Sequence, residues 1–297
     1  MFLTVFTPAY NRVHTLIRTY ESLREQTCKD FIWIIVDDGS TDNTGSLVAK
    51  WQAALDNGFD IQYIYKENGG LHTAYNAAIE VLNSELAVCI DSDDFMPPDA
   101  VAAIKEKWEA DGAQQYGGII GLDFSLDHKL IGGWLPQKKA INLIDLSIGK
   151  EKIAKGDKKI VVRSELYKAV APMRVFPGEK NFNPHYMHLE ISREYDFLVL
   201  NKELCTVEYQ PGGMTASIFK QYLNSPNSFL EIRKQTLSFP GVPIKLKLRT
   251  MIHLVSSAIF AKRLKSELQS TNYPILFFLC LGPGLLLSLL IRIKGKA

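Results

Sequence analysis

The chain has 297 residues, which is long enough for one large domain with its own core or for a domain with an appendage. Hydrophobic residues make up 46% and charged residues 22%, as in folded proteins, and the net charge of +2 gives no indication of a nucleic-acid partner. The four cysteines form no CxxC pair, which argues against a structural zinc site and for reduced, buried thiols in a cytosolic protein. The apolar run at the amino terminus is too short for a signal peptide.

Strand–helix units repeat along the first part of the chain. The apolar runs that predict strands are 2–6, 31–36, 61–65 and 86–90, and the segments that predict helices are 14–26, 43–56 and 72–83. Because the strands are nearly continuous apolar runs, we expect helices on both faces of the sheet. The regular alternation predicts a mostly parallel sheet with right-handed crossovers.

Further elements follow in the middle of the chain. Strands are predicted at 117–122, 130–135, 160–163 and 204–209, helices at 141–150 and 185–196, and helical structure again from about residue 218. We assign residues 1–240 to one α/β domain and residues 241–297 to a separate C-terminal region. In open α/β sheets ligands bind at the carboxyl ends of the strands, where this chain carries its polar motifs.

Charge and hydropathy set residues 241–297 apart. This segment contains nine Lys and Arg and one acid, Glu267, so the preceding residues keep 25 basic and 31 acidic ones. Within it, residues 273–291 carry no charge, Gly282-Pro283-Gly284 interrupts them, and three cations follow. We predict a helical, membrane-associated tail at the cytoplasmic face of the cell membrane, with 273–291 either crossing the bilayer or lying in its interface. The alternative is a hairpin of core helices.

Two acidic clusters follow predicted strands. Asp91 and Asp93 are two residues apart, so their side chains lie on the same side if the chain stays extended. Converging carboxylates repel each other without a cation, and such oxygen ligands suit Mg²⁺ or Mn²⁺ shared with the phosphates of a substrate. The alternative for this pair is a solvated acidic loop. The earlier cluster, Asp37-Asp38-Gly39-Ser40, offers carboxylates to a base or ribose, or serves only to cap the next helix.

A glycine turn follows the third predicted strand. In Asn68-Gly69-Gly70 the backbone is able to approach a ligand closely, and the helix that follows presents an amino terminus that favours anions. His72, Tyr75 and Asn76 lie on the first turns of that helix. This segment is either a contact for phosphates or a simple turn.

Taken together, four segments resemble the family 2 glycosyltransferases of the GT-A fold, of the type that builds bacterial surface polysaccharides. In chain order the segments are Thr7-Pro8-Ala9-Tyr10-Asn11-Arg12, Val36-Asp37-Asp38-Gly39-Ser40-Thr41-Asp42, Asn68-Gly69-Gly70 and Asp91-Ser92-Asp93-Asp94. The resemblance is clear over about residues 1–125 and weaker over 126–240. It implies an α/β GT-A fold with a mostly parallel central sheet flanked by helices.

The resemblance also implies an activity. Members of this family move a sugar from a nucleoside-diphosphate sugar, here UDP-linked, to a glycan or lipid-linked acceptor, with inversion at the anomeric carbon and Mg²⁺ or Mn²⁺ on the diphosphate. Asp93, with Asp91, would hold the metal. The residues implied to bind the nucleotide sugar are Thr7, Pro8, Asn11, Asp37, Asp38, Asn68, Gly70, His72, Asn76, Asp91 and Ser92. A membrane surface is an expected partner, and nucleic acid is not.

The catalytic base is harder to assign. Family members place an acid in the second half of the chain, often as a Glu-Asp pair, and no such pair occurs here. The candidates are Glu179, Glu190 and His185, of which we favour Glu179 because the Pro-Gly before it predicts an irregular loop able to reach the site. Tyr75 stands where many relatives carry an arginine. Gly212-Gly213-Met214-Thr215 replaces the Gln-x-x-Arg-Trp motif of processive synthases, which favours transfer of a single sugar.

Two other functions compete with this interpretation. A nucleotidyltransferase that makes nucleotide sugars also combines a parallel sheet with acidic metal ligands, but it usually opens with a glycine-rich basic loop, and residues 7–11 contain no glycine. An inactive membrane-bound scaffold is the second alternative. The four acids in the two clusters argue against it, because buried acids without a use cost stability.

Overall fold

The structure of the chain, a computed structural model, describes residues 1–112, 114–151, 153, 156–208 and 217–296. These residues form two compact units. The first, here called the sheet unit, comprises residues 1–173 and 187–208. The second, here called the helical unit, comprises residues 174–186 and 217–296.

The sheet unit alternates strands and helices as predicted. Its strands are β1 (Leu3–Ala9), β2 (Phe31–Asp37), β3 (Asp60–Tyr65), β4 (Leu86–Cys89), β5 (Tyr116–Ser125), β6 (Ala140–Ile141), β7 (Lys158–Arg163) and β8 (Asp196–Val207). Its helices are α1 (Leu16–Arg24), α2 (Thr44–Gln52), α3 (Leu71–Glu80), α4 (Ala100–Asp111), α5 (Leu143–Ser147) and α6 (Ser164–Val170). A further helix, α7 (His185–Ile191), contains the boundary between the two units.

The eight strands form one sheet in the order β3-β2-β1-β4-β7-β5-β8-β6. Strands β1 to β4 are parallel, as predicted, whereas β7 runs antiparallel to both of its neighbours and β6 antiparallel to β8. Ala9 pairs with Asp37, and Asp37 pairs with Tyr65, so β1, β2 and β3 end side by side. This register brings the loops that follow the parallel strands to one edge of the sheet.

Helices cover both faces of this sheet, which confirms the prediction from the apolar runs. On one face Trp33 of β2 stacks with Tyr20 of α1 and Trp51 of α2, at ring-centroid distances of 6.3 Å and 5.8 Å. On the other face Phe6 of β1 meets Tyr75 of α3 edge-on at 5.0 Å. The large buried rings therefore fix the central strands from both sides.

One predicted strand is wrong. Residues 130–135 form no ladder, and Leu130 makes only an isolated bridge to Phe124. Further along, the backbone of Leu135 exchanges two hydrogen bonds with the amide of Asn201, at 2.9 Å and 3.0 Å. This side chain satisfies the backbone groups that a neighbouring strand would otherwise pair.

The helical unit begins before the boundary predicted at residue 240. Its helices are α8 (Ile218–Asn224), α9 (Pro226–Ser238), α10 (Ile244–Phe260), α11 (Leu264–Ser270), α12 (Pro274–Leu279) and α13 (Leu281–Lys296). Leu230 and Leu237 of α9 share a buried cluster with Met251, Leu254 and Phe277. The predicted division into 1–240 and 241–297 is therefore wrong, because α9 packs with the helices that follow it.

The interruption predicted at Gly282-Pro283-Gly284 lies elsewhere in the structure. The helix breaks at Cys280, and the three residues belong to the first turn of α13, where proline is tolerated because its missing N–H has no helical partner there. A Cβ at Gly284 would lie 2.5 Å from Cγ1 of Val255, so glycine lets α13 approach α10 closely. In the part of the chain that the structure describes, no helix combines the length and apolar character needed to cross a membrane.

A buried arginine organises the centre of the helical unit. Arg233 donates a hydrogen bond to Ser257, and its guanidinium lies 5.0 Å from the ring centroid of Tyr222. Burial lowers the pKa of Arg233 to about 10. His253 lies against Tyr222 at a ring-centroid distance of 6.0 Å, and burial, with the charges of Arg233 and Arg249, lowers the pKa of His253 to about 4.

We expect the free energy of unfolding of the helical unit to fall as the pH drops from 6.5 to about 4. The unfolded chain protonates His253 near the ordinary pKa of 6.5, whereas the folded chain protonates it only near 4, so acid favours the unfolded state over this range. Because the imidazole is partly exposed, the expected loss is about 1–2 kcal/mol. Urea unfolding at the two ends of the range measures it.

The control is a pair of variants. His253→Gln should remove most of this pH dependence, whereas His14→Gln, at an exposed histidine of the sheet unit, should retain it. Equal pH slopes for His253→Gln and the unaltered chain would contradict the assignment.

Candidate active site

The carboxyl edge of the parallel strands carries most of the predicted site residues. The loops after β1, β2 and β3 meet there, and Asp91, Ser92 and Asp93 follow β4 directly. The contacts between these loops show which side chains shape the edge and which remain open to a ligand.

Asp37 shapes the turn at the end of β2. One carboxylate oxygen accepts a hydrogen bond from the backbone N–H of Ser40 at 2.7 Å, and the other accepts from the hydroxyl of Tyr63 at 2.6 Å. Burial, together with the hydrogen bond to Asp37, raises the pKa of Tyr63, so the phenol stays a neutral donor. Ser40 does not cap α2, which begins at Thr44; its hydroxyl instead accepts from the N–H of Asn11 at 2.9 Å.

Asp38 holds the glycine turn that follows β3. Its carboxylate accepts hydrogen bonds from the backbone N–H groups of Gly69 and Gly70, at 2.9 Å and 2.7 Å, and from the ammonium group of Lys66 at 2.5 Å. A Cβ at Gly39, where φ is 80°, would lie only 2.8 Å from the backbone nitrogen of Asn68. The glycine turn thus packs closely against the loop that follows β2, and its conformation depends on that loop.

Asn11 and Arg12 connect the first loop to the others. The amide oxygen of Asn11 accepts from the N–H of Thr41 at 2.8 Å, and Asn11 itself lies at a φ of 54°, a left-handed conformation that asparagine tolerates. Arg12 donates from Nε to the hydroxyl of Ser92 at 3.2 Å. A chain of contacts therefore runs from the β2 loop through the β1 loop to the acidic loop after β4.

The acidic loop presents carboxylates of different exposure. Asp91 is exposed, Asp93 is half-buried, and the N–H of Asp94 donates to the carbonyl of Asp91 at 3.0 Å, which curls the loop. Burial raises the pKa of Asp93, the charge of Asp91 raises it further, and Arg12 opposes both. The charge of Asp91 thus disfavours the ionisation of Asp93, and a bound cation would relieve this repulsion.

Two of the predicted nucleotide contacts, Thr7 and Asn76, form hydrogen bonds within the sheet unit, and two more, Pro8 and His72, are buried. Thr7 is fully buried, and its hydroxyl accepts from the indole N–H of Trp33 at 2.9 Å. The amide of Asn76 bonds to both backbone groups of Met173, each at 2.9 Å. His72 is fully buried on α3. Pro8 is buried within β1. The side chains of Thr7 and Asn76 therefore stabilise the carboxyl edge through hydrogen bonds within the protein. These bonds argue against the predicted contact of the two side chains with a nucleotide.

A buried charged cluster lies behind the acidic loop and has no counterpart in the sequence prediction. The ammonium group of Lys159 on β7 lies 3.9 Å from a carboxylate oxygen of Asp94 and 4.0 Å from one of Asp123 on β5. The thiol of Cys205 lies 3.7 Å from Asp94. The signal in the sequence for this cluster was a lysine directly before an apolar run, since Lys159 precedes Ile160 and Val161.

The cluster is compensated in charge but short of hydrogen bonds. Burial raises the pKa of Asp123 to about 6, with Lys159 opposing it, and burial raises that of Asp94 to about 8. Burial lowers the pKa of Lys159, but the surrounding acids raise it by more, so the lysine stays charged. Among the described residues, one carboxylate oxygen of Asp123 has no hydrogen-bond partner, and the ammonium group of Lys159 lies 4.0 Å from it.

Glu179, the favoured base, is a structural residue of the helical unit. One carboxylate oxygen accepts from the backbone N–H and the side-chain amide of Asn227, and the other accepts from the N–H and the hydroxyl of Ser228, at 2.7–2.8 Å. These four bonds occupy the lone pairs of the carboxylate and neutralise the amino terminus of α9. The arrangement argues against the predicted role of Glu179 as a general base.

The other base candidates have different surroundings. Glu190 on α7 forms a salt bridge at 2.8 Å with Arg193, which lies two residues after the end of that helix. His185 is exposed at the first position of α7, where its backbone N–H donates to Asn183 at 2.9 Å. The segment Gly212-Gly213-Met214-Thr215, which we used to predict transfer of a single sugar, lies outside the described residues.

The family comparison bears directly on the loops of this edge. Residues 4–146 match the family model described as glycosyl transferase family 2. This segment belongs to glycosyl transferase family 2. The match includes β1 to β5 and all four segments on which the predicted resemblance rests, so the resemblance to this family is confirmed.

Curated relatives agree with this assignment over part of their length. The chain is 33% identical over 109 residues to the chondroitin synthase of Escherichia coli, a match that covers 37% of this chain and 16% of that protein. It is 40% identical over 98 residues to the putative glycosyltransferase EpsH of Bacillus subtilis, covering 33% and 27%. The matches thus span about a sixth and about a quarter of these relatives.

Solved structures share the architecture. The crystal structure of S. aureus TarS 1–349 in complex with UDP-GlcNAc superposes with a TM-score of 0.61 at 17% identity and covers 96% of this chain and 80% of that one. The mannosyltransferase PcManGT from Pyrobaculum calidifontis, in complex with GDP-Man and Mn²⁺, gives 0.57 at 18%, with coverage of 99% and 83%. The predicted GT-A fold, with a mostly parallel central sheet flanked by helices, is confirmed.

The capping role of Glu179 predicts a stability effect. Glu179→Gln replaces one acceptor oxygen by an NH₂ group that faces two donors, so the helical unit should lose about 2–3 kcal/mol of its free energy of unfolding in denaturant titrations. The exposed Glu194→Gln is the matched control and should change the free energy by less than about 0.5 kcal/mol. A Glu179→Gln protein of unchanged stability that has lost turnover would restore the role as base.

The buried cluster predicts a second effect. Lys159→Met leaves two buried carboxylates without their cation and should destabilise the sheet unit by about 3–5 kcal/mol. Adding Asp123→Asn should recover part of this loss, because one of the unpaired charges is removed. The exposed pair of Lys202 and Asp99, at 2.6 Å, provides the control: Lys202→Met should cost less than about 1 kcal/mol. Equal losses for the two lysine variants would contradict the cluster's role.

Proposed function

We propose that this chain transfers a single sugar, with inversion, from a nucleoside-diphosphate sugar to a glycan or lipid-linked acceptor in the synthesis of a cell-surface polysaccharide. One observation carries the proposal: at the carboxyl edge of the parallel strands, the loops after β1, β2 and β3 are tied to one another and to the loop of Asp91 and Asp93. Ligands of open α/β sheets bind at this edge. The family of residues 4–146 supplies the reaction class.

The nucleoside would lie against the loop of Asp37 and Asp38. Asp37 is only 1% exposed, and among the described residues its oxygens accept hydrogen bonds from Ser40 and Tyr63, so it would fix the loop against which the base or ribose lies. A UDP-linked donor is supported by the fold shared with TarS, which binds UDP-GlcNAc in its crystal structure. PcManGT, of the same fold, binds GDP-Man instead, so a donor screen decides the identity of the base.

Mg²⁺ or Mn²⁺ fits the acidic loop. Asp91 and Asp93 offer hard oxygen ligands, and the raised pKa of Asp93 reflects burial and the repulsion between them, which a divalent cation would relieve. In the described residues no group of three or more His, Cys, Asp and Glu side chains is arranged to hold a metal. Diphosphate oxygens and water would complete the coordination, and the metal would stabilise the charge of the departing diphosphate. PcManGT binds Mn²⁺ together with its donor.

The protein's own groups would position the donor and remove the acceptor's proton. Arg12, which bonds to Ser92, holds a positive charge beside Asp93. Inversion by direct displacement requires a base near the acceptor hydroxyl. With Glu179 engaged in capping α9, His185 and Glu190 are the remaining candidates, and the imidazole of His185 is the more exposed of the two. The acceptor would be presented at the cytoplasmic face of the cell membrane.

The acidic loop gives the decisive test. Asp93→Asn should lower nucleoside-diphosphate release from a donor panel of UDP-Glc, UDP-GlcNAc, UDP-Gal and GDP-Man by about 100-fold or more, because it removes a ligand of the metal that stabilises the leaving group. Mn²⁺ affinity, measured by calorimetry with the donor's nucleoside diphosphate present, should fall in parallel.

The control is Asp56→Asn, which removes an exposed carboxylate 2.8 Å from Arg24, away from the acidic loop, and should leave both quantities unchanged. Full turnover by Asp93→Asn with every donor that the unaltered chain uses would refute the metal assignment. Release of pyrophosphate from a nucleoside triphosphate and a sugar phosphate would instead identify a nucleotidyltransferase.

A further inference from the structure

The helical unit exposes a row of large apolar side chains. Eight residues of α12 and α13 are between 47% and 77% exposed, although each is an isoleucine, leucine or phenylalanine. They are Ile275, Phe278, Leu279, Leu285, Leu286, Leu289, Leu290 and Ile293, here called the apolar stripe. Their spacing of three, four and seven residues places them on one face of the two consecutive helices.

The opposite face is packed, so the stripe cannot turn inward. Phe277 and Cys280 of α12 belong to the core of the helical unit, and Ile291 of α13 is 1% exposed. Glycines bring α13 close to its neighbours: a Cβ at Gly284 would lie 2.5 Å from Val255 of α10, and one at Gly295 would lie 2.6 Å from Leu223 of α8. The helices are thus anchored in protein on one side and open on the other, which fits helices that lie in a membrane interface and not across it.

Cations flank the stripe at both ends. At its beginning, the ammonium group of Lys247 lies 4.6 Å from the ring centroid of Tyr273, the residue before α12. At its end, Arg292 and Lys294 are exposed among the last turns of α13. The one acid of residues 241–297, Glu267, is 3% exposed and pairs with Arg263 at 2.7 Å, so it does not reduce the positive surface.

We propose that the apolar stripe docks on the surface of an anionic bilayer, with α12 and α13 in the plane of the interface and the flanking cations on lipid phosphates. A second copy of this chain is a poorer occupant, because a symmetric contact would bring the same flanking cations together. An anionic bilayer matches both the apolar area and the charge. The inference is independent of the proposed sugar transfer, since it rests on residues outside the acidic loops.

Vesicle binding tests the proposal. The full chain should sediment with vesicles of phosphatidylcholine and phosphatidylglycerol and much less with phosphatidylcholine alone, and high salt should weaken the binding. Leu286→Glu with Leu290→Glu should lower the partition coefficient by about 100-fold, because two exposed side chains lose their apolar contact with the bilayer. The pair Leu55→Glu with Leu126→Glu, at exposed leucines outside the stripe, should bind as the unaltered chain does.

A reporter and a measurement of mass complete the experiment. Phe278→Trp should be quenched by bromine-labelled lipids, whereas the four native tryptophans, all before residue 135, should not. Donor turnover in the absence of vesicles should be unchanged in Leu286→Glu with Leu290→Glu, which separates a failure of this proposal from a failure of the proposed function. A chain that ignores anionic vesicles, or a dimer that Leu286→Glu with Leu290→Glu converts to a monomer, would overturn it.

Discussion

The carboxylate of Asp38 is the contact on which the geometry of the candidate site depends. Asp38 directly follows the buried parallel strand β2, and its carboxylate accepts hydrogen bonds from Gly69, Gly70 and Lys66, so it holds the loop that follows β3. The parallel register makes this possible, because β2 and β3 end at the same level and their loops start side by side. With that loop fixed, Asn68 returns a hydrogen bond to the carbonyl of Asp38 at 2.7 Å, and the two segments define one wall of the edge.

The buried acids behind the edge share a single cation. A buried carboxylate is tolerated when it is paired, and Lys159 serves Asp94 and Asp123 together. Asp94 also accepts a hydrogen bond from the backbone of Glu208, which ties the acidic loop to the end of β8. Asp91 and Asp93 lie three and one residues earlier, and the positive group beside them is Arg12, which bonds to Ser92 and lowers the pKa of Asp93. The structure thus neutralises the acids behind the edge and leaves those at the edge available.

The sequence predicted those strands and site loops that have a distinctive local pattern of residues. The parallel strands β1 to β4 could be predicted because they are continuous apolar runs, and the acidic and glycine loops because they directly follow strands. Glu179, Asn76 and Lys159 could not be assigned in this way. Each is defined by a partner far along the chain, namely Ser228, Met173 and Asp94. The boundary at 240 failed for the same reason, since composition changes there while α9 packs with residues that follow it.

Glycine and proline in the C-terminal helices show how one pattern supports two opposite interpretations. Gly282-Pro283-Gly284 reads as a break in an apolar run, yet Pro283 lies in the first turn of α13 and Gly284 permits contact with Val255. The run is apolar all round because it serves two surroundings: one face fills the core of the helical unit, and the other forms the apolar stripe. A helix that only completed a protein core would carry polar residues on its outer face. A hairpin of core helices explains the apolar inner face alone. Because the outer face is leucine-rich and bordered by cations, a bilayer surface explains both faces.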